Sequence, residues 1–238
     1  NSLYNKHKFV RCKSSPGIAD RQIMGGFVMT PIPGRYEWVV SFDANSLYPS
    51  IMRTWNISPE TILAENEIPD ELIKYYDKIL IDDLLKDASE ISKLLKKYNL
   101  TMTANGHFFR RDKQGIMPFL TGQVYNDRVD AKNEMKKCKK ALVGETDPTK
   151  RKELEAQIAS LDNKQLALKI LLNSLFGAMA NTYFRFFDFR CAEGITSTGR
   201  YFIQKVGQMA SSYIDKMSGS TDSLVYIDTD SNYFCLHI

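Results

Sequence analysis

The chain has 238 residues, 43% of them hydrophobic, which is enough for one sizeable core or for a core with a lobe attached. Its formal net charge of +4 says little by itself, but the charge is segregated: residues 65–90 carry nine acids against three lysines, and residues 128–169 carry eleven bases against seven acids. With no run of about 18 apolar residues, no membrane span is expected; no signal peptide is expected either, and four isolated cysteines without a CxxC spacing (Cys12, Cys138, Cys191, Cys235) argue against a zinc or redox motif and for reduced thiols.

In chain order, residues 1–24 are mixed and basic, with SSPG as a turn, and PIPGRY is a second turn. EWVVSFD reads as a strand ending in Asp43, and SLYPSIMRTWN as a helix beginning at its proline. Leu and Ile recur three and four apart through residues 68–98, which predicts acidic helices with a solvated face over a core. LTMTANGHFFRRDKQG is a hairpin turning at Asn105-Gly106. A long helix over 118–142 follows, then a break at VGETDPT. A second long helix, capped by Asp147 with Pro148 in its first turn, ends at Gly177. These two predict a protruding antiparallel hairpin with basic faces. FRFFDFRCAEGIT reads as strand-like or irregular, STGRYFIQKVGQMASSYIDKMS as an amphipathic helix, and DSLVYIDTDSNYFCLHI as a closing β-hairpin. The first residue is not Met, and the chain has the look of a piece of a longer protein.

Three features carry chemistry. Asp43, Asp228 and Asp230 end or interrupt apolar strands, where carboxylates are costly unless something positive faces them. Adjacent antiparallel strands would bring all three together; they would then repel one another and call for divalent cations. Hard oxygen ligands favour Mg²⁺, and two such ions suit phosphoryl or nucleotidyl transfer. Taken alone, DTDS reads first as an ordinary hairpin turn, where Asp and Ser are common. On the helix KILLNSLFG, Lys169, Asn173 and Phe176 share one face, with Ile170, Leu171 and Leu175 opposite. Arg128, Lys132 and Lys136 repeat at i+4, a like-charge pattern that destabilises a helix slightly and becomes useful opposite a triphosphate.

DANSLYPS, then Arg128 and Lys132, then KILLNSLFG, then YIDTDS stand in the order of the polymerase motifs of family B DNA polymerases, and the sequence resembles that family from about Gly25 to Phe234. SFDANSLYPSIMRTWNISPETI and NSLFGAMANTYFRFFDFRCAEGIT are closer still to the replicative polymerases of T-even-type bacteriophages. The acidic stretch 65–98 is least like them. The resemblance implies an α+β fold: an antiparallel-sheet palm with an inserted two-helix fingers hairpin. The palm's first part is residues 1–117 with the acidic insertion 65–98, the fingers are 118–180, and the palm's second part is 181–238. A thumb and an exonuclease domain are expected outside this chain.

It further implies template-directed DNA synthesis from deoxynucleoside triphosphates on primer-template DNA, with two Mg²⁺ ions held by Asp43, Asp230, Asp228 and the carbonyl of Ala44. Lys169, with Arg128 and Lys132, would hold the triphosphate, helped by the backbone N–H groups of Ser46, Leu47 and Tyr48. Asn173 would steady the pocket, Tyr48 would exclude a 2′-hydroxyl, and Phe176 and Gly177 would face the nascent base pair. Phe176 departs from the family's usual tyrosine, so a hydroxyl contact to that pair is lost. A sliding clamp is an implied partner through regions beyond this chain, no membrane is involved, and the setting is the cytoplasm of a bacterial host. Two other readings compete: a nucleic-acid-binding fragment of the same fold without turnover, and an RNA-making palm enzyme, against which Tyr48 argues.

Overall fold

A computed structural model describes residues 22–236. The SSPG turn, Cys12 and the last two residues of the expected terminal hairpin lie outside them. The elements in order are β1 (Val39–Asp43), α1 (Leu47–Trp55), α2 (Asp70–Ile73), α3 (Ile81–Lys86), α4 (Ser89–Lys97), β2 (Leu100–Met102), β3 (Phe108–Arg110), α5 (Ile116–Gly144), α6 (Pro148–Met179), α7 (Phe189–Ser218), β4 (Leu224–Asp228) and β5 (Ser231–Cys235). This is an α+β arrangement with two small antiparallel sheets, ordered β1-β5-β4 and β2-β3. None of the described helices is long and apolar enough to cross a membrane.

β5 is the central strand, paired with β1 on one side and β4 on the other, and its alternate residues Asn232 and Phe234 are buried. The register pairs Asp43 with Ser231 on one side and Asp228 with Ser231 on the other. Residues 27–29 extend the sheet beyond β4: Met29 N–H donates to the Ile227 carbonyl, and Thr229 N–H donates to that of Phe27. α7 lies close against the sheet at Gly207, where a Cβ would stand 2.9 Å from Asn232 Oδ1.

Two cores meet at β3. Phe109 joins Leu47, Ile51, Met52, Met117, Met179 and Ile195, whereas Phe108 joins Leu72, Leu80, Leu84, Ile91 and Met102. Successive strand residues point to opposite faces, so two adjacent phenylalanines serve two cores. The second core lies under the acidic helices, which have a solvated face over it as expected. That stretch is three short helices, however, broken where Asp77 adopts a positive φ of 50°.

Several features differ from expectation. α1 begins two residues before Pro49; the proline takes the third helical position, where the first-turn N–H has no intrahelical acceptor to lose. α5 and α6 are longer than predicted, and Gly177 lies inside α6, which closes at Ala180. The cap itself is as expected, with Asp147 accepting from Thr149 N–H and Pro148 at the first position. The second half of FRFFDFRCAEGIT is helix, because Asp188 caps α7 by accepting from Arg190 N–H and also pairs with the Arg190 guanidinium at 2.7 Å. Its aromatic and β-branched composition suggested extended chain, but Phe189, Cys191, Ala192 and Ile195 form a buried helical face. Finally, Ile170 and Leu171 are largely exposed, and it is Leu172 that α6 buries.

Candidate active site

The β4–β5 turn sets the carboxylates. β4 ends at Asp228, and Thr229 takes a left-handed conformation (φ 52°), so the chain reverses within two residues and β5 begins at Ser231. Asp230 N–H donates to the Asp228 carbonyl at 2.6 Å, and Thr229 Oγ1 donates to Asp228 Oδ1 at 3.0 Å. The turn is backed by Gly26, whose missing Cβ would lie 2.8 Å from the Thr229 side chain. Arg200 of α7 in turn holds the Gly26 carbonyl at 2.9 Å and covers the Phe27 ring.

Across the sheet, Asp43 is the last residue of β1. Ser231 Oγ donates to its Oδ2 at 3.0 Å, and Ala44 N–H donates to the Asp230 carbonyl at 2.7 Å. The three aspartates therefore converge on one end of one sheet. Burial pushes the Asp230 carboxyl above the usual range, and the charges of Asp43 and Asp228 push it further. A divalent cation would relieve that repulsion, and carboxylate and carbonyl oxygens suit a hard divalent cation. The side chains are not closed into a ready cage: among the described residues no three acidic, histidine or cysteine groups stand close enough together to hold an ion.

Beside the carboxylates lies a pocket of about 310 Å³ lined by Ser46, Leu47, Tyr48, Pro49, Asn173, Phe176, Thr229 and Asp230. Three elements distant in sequence meet here: the N-terminus of α1, the last turns of α6 and the β4–β5 turn. Ser46, in a left-handed conformation (φ 53°), precedes α1 without a side-chain cap, so the first N–H groups of the helix lack a protein partner of that kind. The Tyr48 ring packs on Phe176 with centroids 4.8 Å apart. Its phenol is held above the usual range by burial first and by the neighbouring Asp230 charge second, with Arg200 opposing.

The cations stand at the rim rather than in the lining. Arg128 Nη1 reaches Ser46 Oγ at 3.5 Å, while its Nε is buried with no acceptor. Lys132 is pulled below the usual lysine range by Arg128 first, then by burial, Lys136 and Lys169, so these cations crowd one another. Tyr125 of α5 anchors this region on α1 by accepting from Asn45 Nδ2 at 3.4 Å and lying under the Arg53 guanidinium. Asn173 and Phe176 line the pocket; Gly177 is exposed with open space around it and does not. Sequence reasoning missed Ser231, Arg200 and Gly26. The serine directly after DTD was a usable signal, whereas the strap formed by Arg200 and residues 25–29 depends on contacts with no local signature.

A model of DNA polymerase family B matches residues 2–237. The DNA-directed DNA polymerase of Escherichia phage RB69 is 31% identical over 272 aligned residues, which cover 98% of this chain and 28% of that protein. The DNA-directed DNA polymerase of Enterobacteria phage T4 is 30% identical, with 99% and 29% covered, and DNA polymerase 1 of Pyrococcus abyssi is 32% identical, with 88% and 21% covered. The chain thus spans less than a third of the length of these curated relatives.

Proposed function

The chain belongs to DNA polymerase family B, and on that premise we propose that it is the nucleotidyl-transfer core of a template-directed DNA polymerase, joining deoxynucleoside triphosphates to a primer 3′-hydroxyl. The observation that carries this reading is that three aspartates end one sheet beside a pocket lined by an aromatic pair, with Arg128 at its rim. In it the sheets and α7 act as the palm, and α5 with α6 as the fingers.

Asp43, Asp230, Asp228 and the Ala44 carbonyl would hold two Mg²⁺ ions. Bound there, the ions supply a lowered pKa at the primer hydroxyl and neutralisation of the triphosphate. Ser231 fixes one rotamer of Asp43 by donating to it. Arg128, Lys132 and Lys169 clamp phosphate oxygens. The first N–H groups of α1 face the same anion along the helix dipole. Tyr48, backed by Phe176, lies under the sugar, and Asn173 steadies the pocket wall. Primer-template DNA, a deoxynucleoside triphosphate, a sliding clamp reached through other regions, and a bacterial cytoplasm complete the proposal.

Primer extension tests it, with the chain alone and with the chain grafted in place of the matching region of the phage T4 relative. Extension should require Mg²⁺ and fall by at least about tenfold in Asp43→Asn and Asp230→Asn. DNA binding without extension in both settings would instead identify a non-catalytic nucleic-acid-binding module.

A further inference from the structure

The cations of α5 do not stop at the pocket. At about 100° per residue, Arg128, Lys132, Lys136 and Lys139 fall within about 80° of one another around the helix, and they span about 16 Å along it. The carboxylates of the same stretch, Asp127, Asp130 and Glu134, fall on the far side, where Glu134 pairs with Lys137 at 3.1 Å. Among the described residues no salt bridge neutralises any of the four stripe cations. Across the hairpin, Asp162 is held by Gln165 and Glu155 by Arg151, so two carboxylates of α6 are already engaged.

Exposure changes along the stripe. Lys139 and Lys136 are exposed, Lys132 and Arg128 are half-buried, and Arg128 ends against Ser46 at the pocket rim. Charges that are increasingly desolvated attract an anion more strongly, so the potential deepens toward the pocket. We propose that Lys136 and Lys139 form an entry ramp that steers a nucleoside triphosphate along α5 to Arg128, Lys132 and Lys169. The inference rests on the triphosphate reading of those three residues. A nucleotide suits the stripe better than a nucleic-acid strand, because the line ends in a pocket bounded by helices rather than continuing across the surface. The crowding that depresses the Lys132 ammonium, to which both Lys136 and Lys169 contribute, agrees with one continuous field.

The test is stopped-flow binding of a fluorescent deoxyadenosine triphosphate to the chain at several salt concentrations. Lys136→Gln/Lys139→Gln should lower the association rate constant about three- to tenfold at low salt, with the dissociation rate unchanged. The difference should vanish above about 0.5 M salt, where the screening length is only a few ångströms. Charge reversal to Glu at both positions should lower association further, and Lys137→Gln, on the far face, should leave it unchanged. A changed dissociation rate would make these lysines direct phosphate ligands and overturn the ramp. So would a loss of DNA affinity with nucleotide rates intact. An unaltered association rate, with Lys132→Gln still weakening binding, would overturn the ramp and leave the pocket reading standing. If Lys132→Gln has no effect either, the pocket reading fails and the ramp with it.

Discussion

Truncating Tyr48 would separate its proposed role in sugar choice from its packing. The ring is confined on both sides. Phe176 lies 4.8 Å away between centroids, and on α7 the absence of a Cβ at Gly199 makes room for it, since one there would stand 3.0 Å from Tyr48 Cε1. A ring so held cannot swing away from a 2′-hydroxyl above it. Overlap in a packed site costs about 1–3 kcal/mol, which at about 1.4 kcal/mol per tenfold gives about 5- to 140-fold discrimination between the two sugars. Tyr48→Ala should abolish this factor. It also loses the aromatic pair, worth about 0.5–1.5 kcal/mol, but that loss weakens use of both sugars alike. The informative quantity is therefore the ratio of kcat/KM for deoxy- and ribonucleotide in single-turnover incorporation. Tyr48→Phe keeps the ring and should shift the ratio by less than about twofold. Gly199→Ala presses on the ring and should lower deoxynucleotide use without relaxing discrimination. An unchanged ratio in Tyr48→Ala, with both sugars equally impaired, would reduce Tyr48 to a packing residue.

Asp230 should show a cost of function in stability. Its folded-state pKa lies above that of an unfolded carboxyl, so its favourable contribution is complete at acid pH and is lost as pH rises through the folded value. Without divalent ions, Asp230→Asn should therefore melt above the wild type near pH 7, the two converging below about pH 4, and Mg²⁺ should raise the Tm of the wild type only; scanning calorimetry checks both. Alanine at Lys132 or Lys169 should raise the KM for nucleotide about tenfold or more with little change in affinity for primed DNA by anisotropy. Asp188→Ala removes a helix cap and leaves the half-buried Arg190 guanidinium unpaired, a loss of about 3 kcal/mol, readable as a lower urea midpoint with unchanged slope.

Much of the site was legible because its chemistry is local in sequence. Asp43 closes a β-branched run, Asp228 and Asp230 flank a turn, and Asn173 and Phe176 share a helical face; all five end up at or beside one pocket. The order of these motifs carried the family. What was not legible depends on tertiary contacts. The Asp188 cap converts an apparent strand into helix only because Cys191, Ala192 and Ile195 have a core to enter. Gly177 looked like a helix end by its type, yet α6 runs through it. The buried amide of Asn105 reaches the Arg190 carbonyl and Glu193 at 3.1 Å, so the β2–β3 turn is locked to α7 by residues more than eighty positions away. No period or motif marks that distance.

The pairing of Asp43 with Ser231 also dictates a timetable of assembly. These partners stand 188 positions apart, and β1 has only β5 to pair with among the described strands. During synthesis at about 5–20 residues per second, VVSF of β1 must wait on the order of ten seconds or more for its neighbour. Helices α5 and α6 pack chiefly on each other and on the earlier α1, and can form in that interval. Among the described elements, the carboxylate end of the sheet is thus completed late. Until then an unpaired apolar edge is exposed to whatever strand comes near.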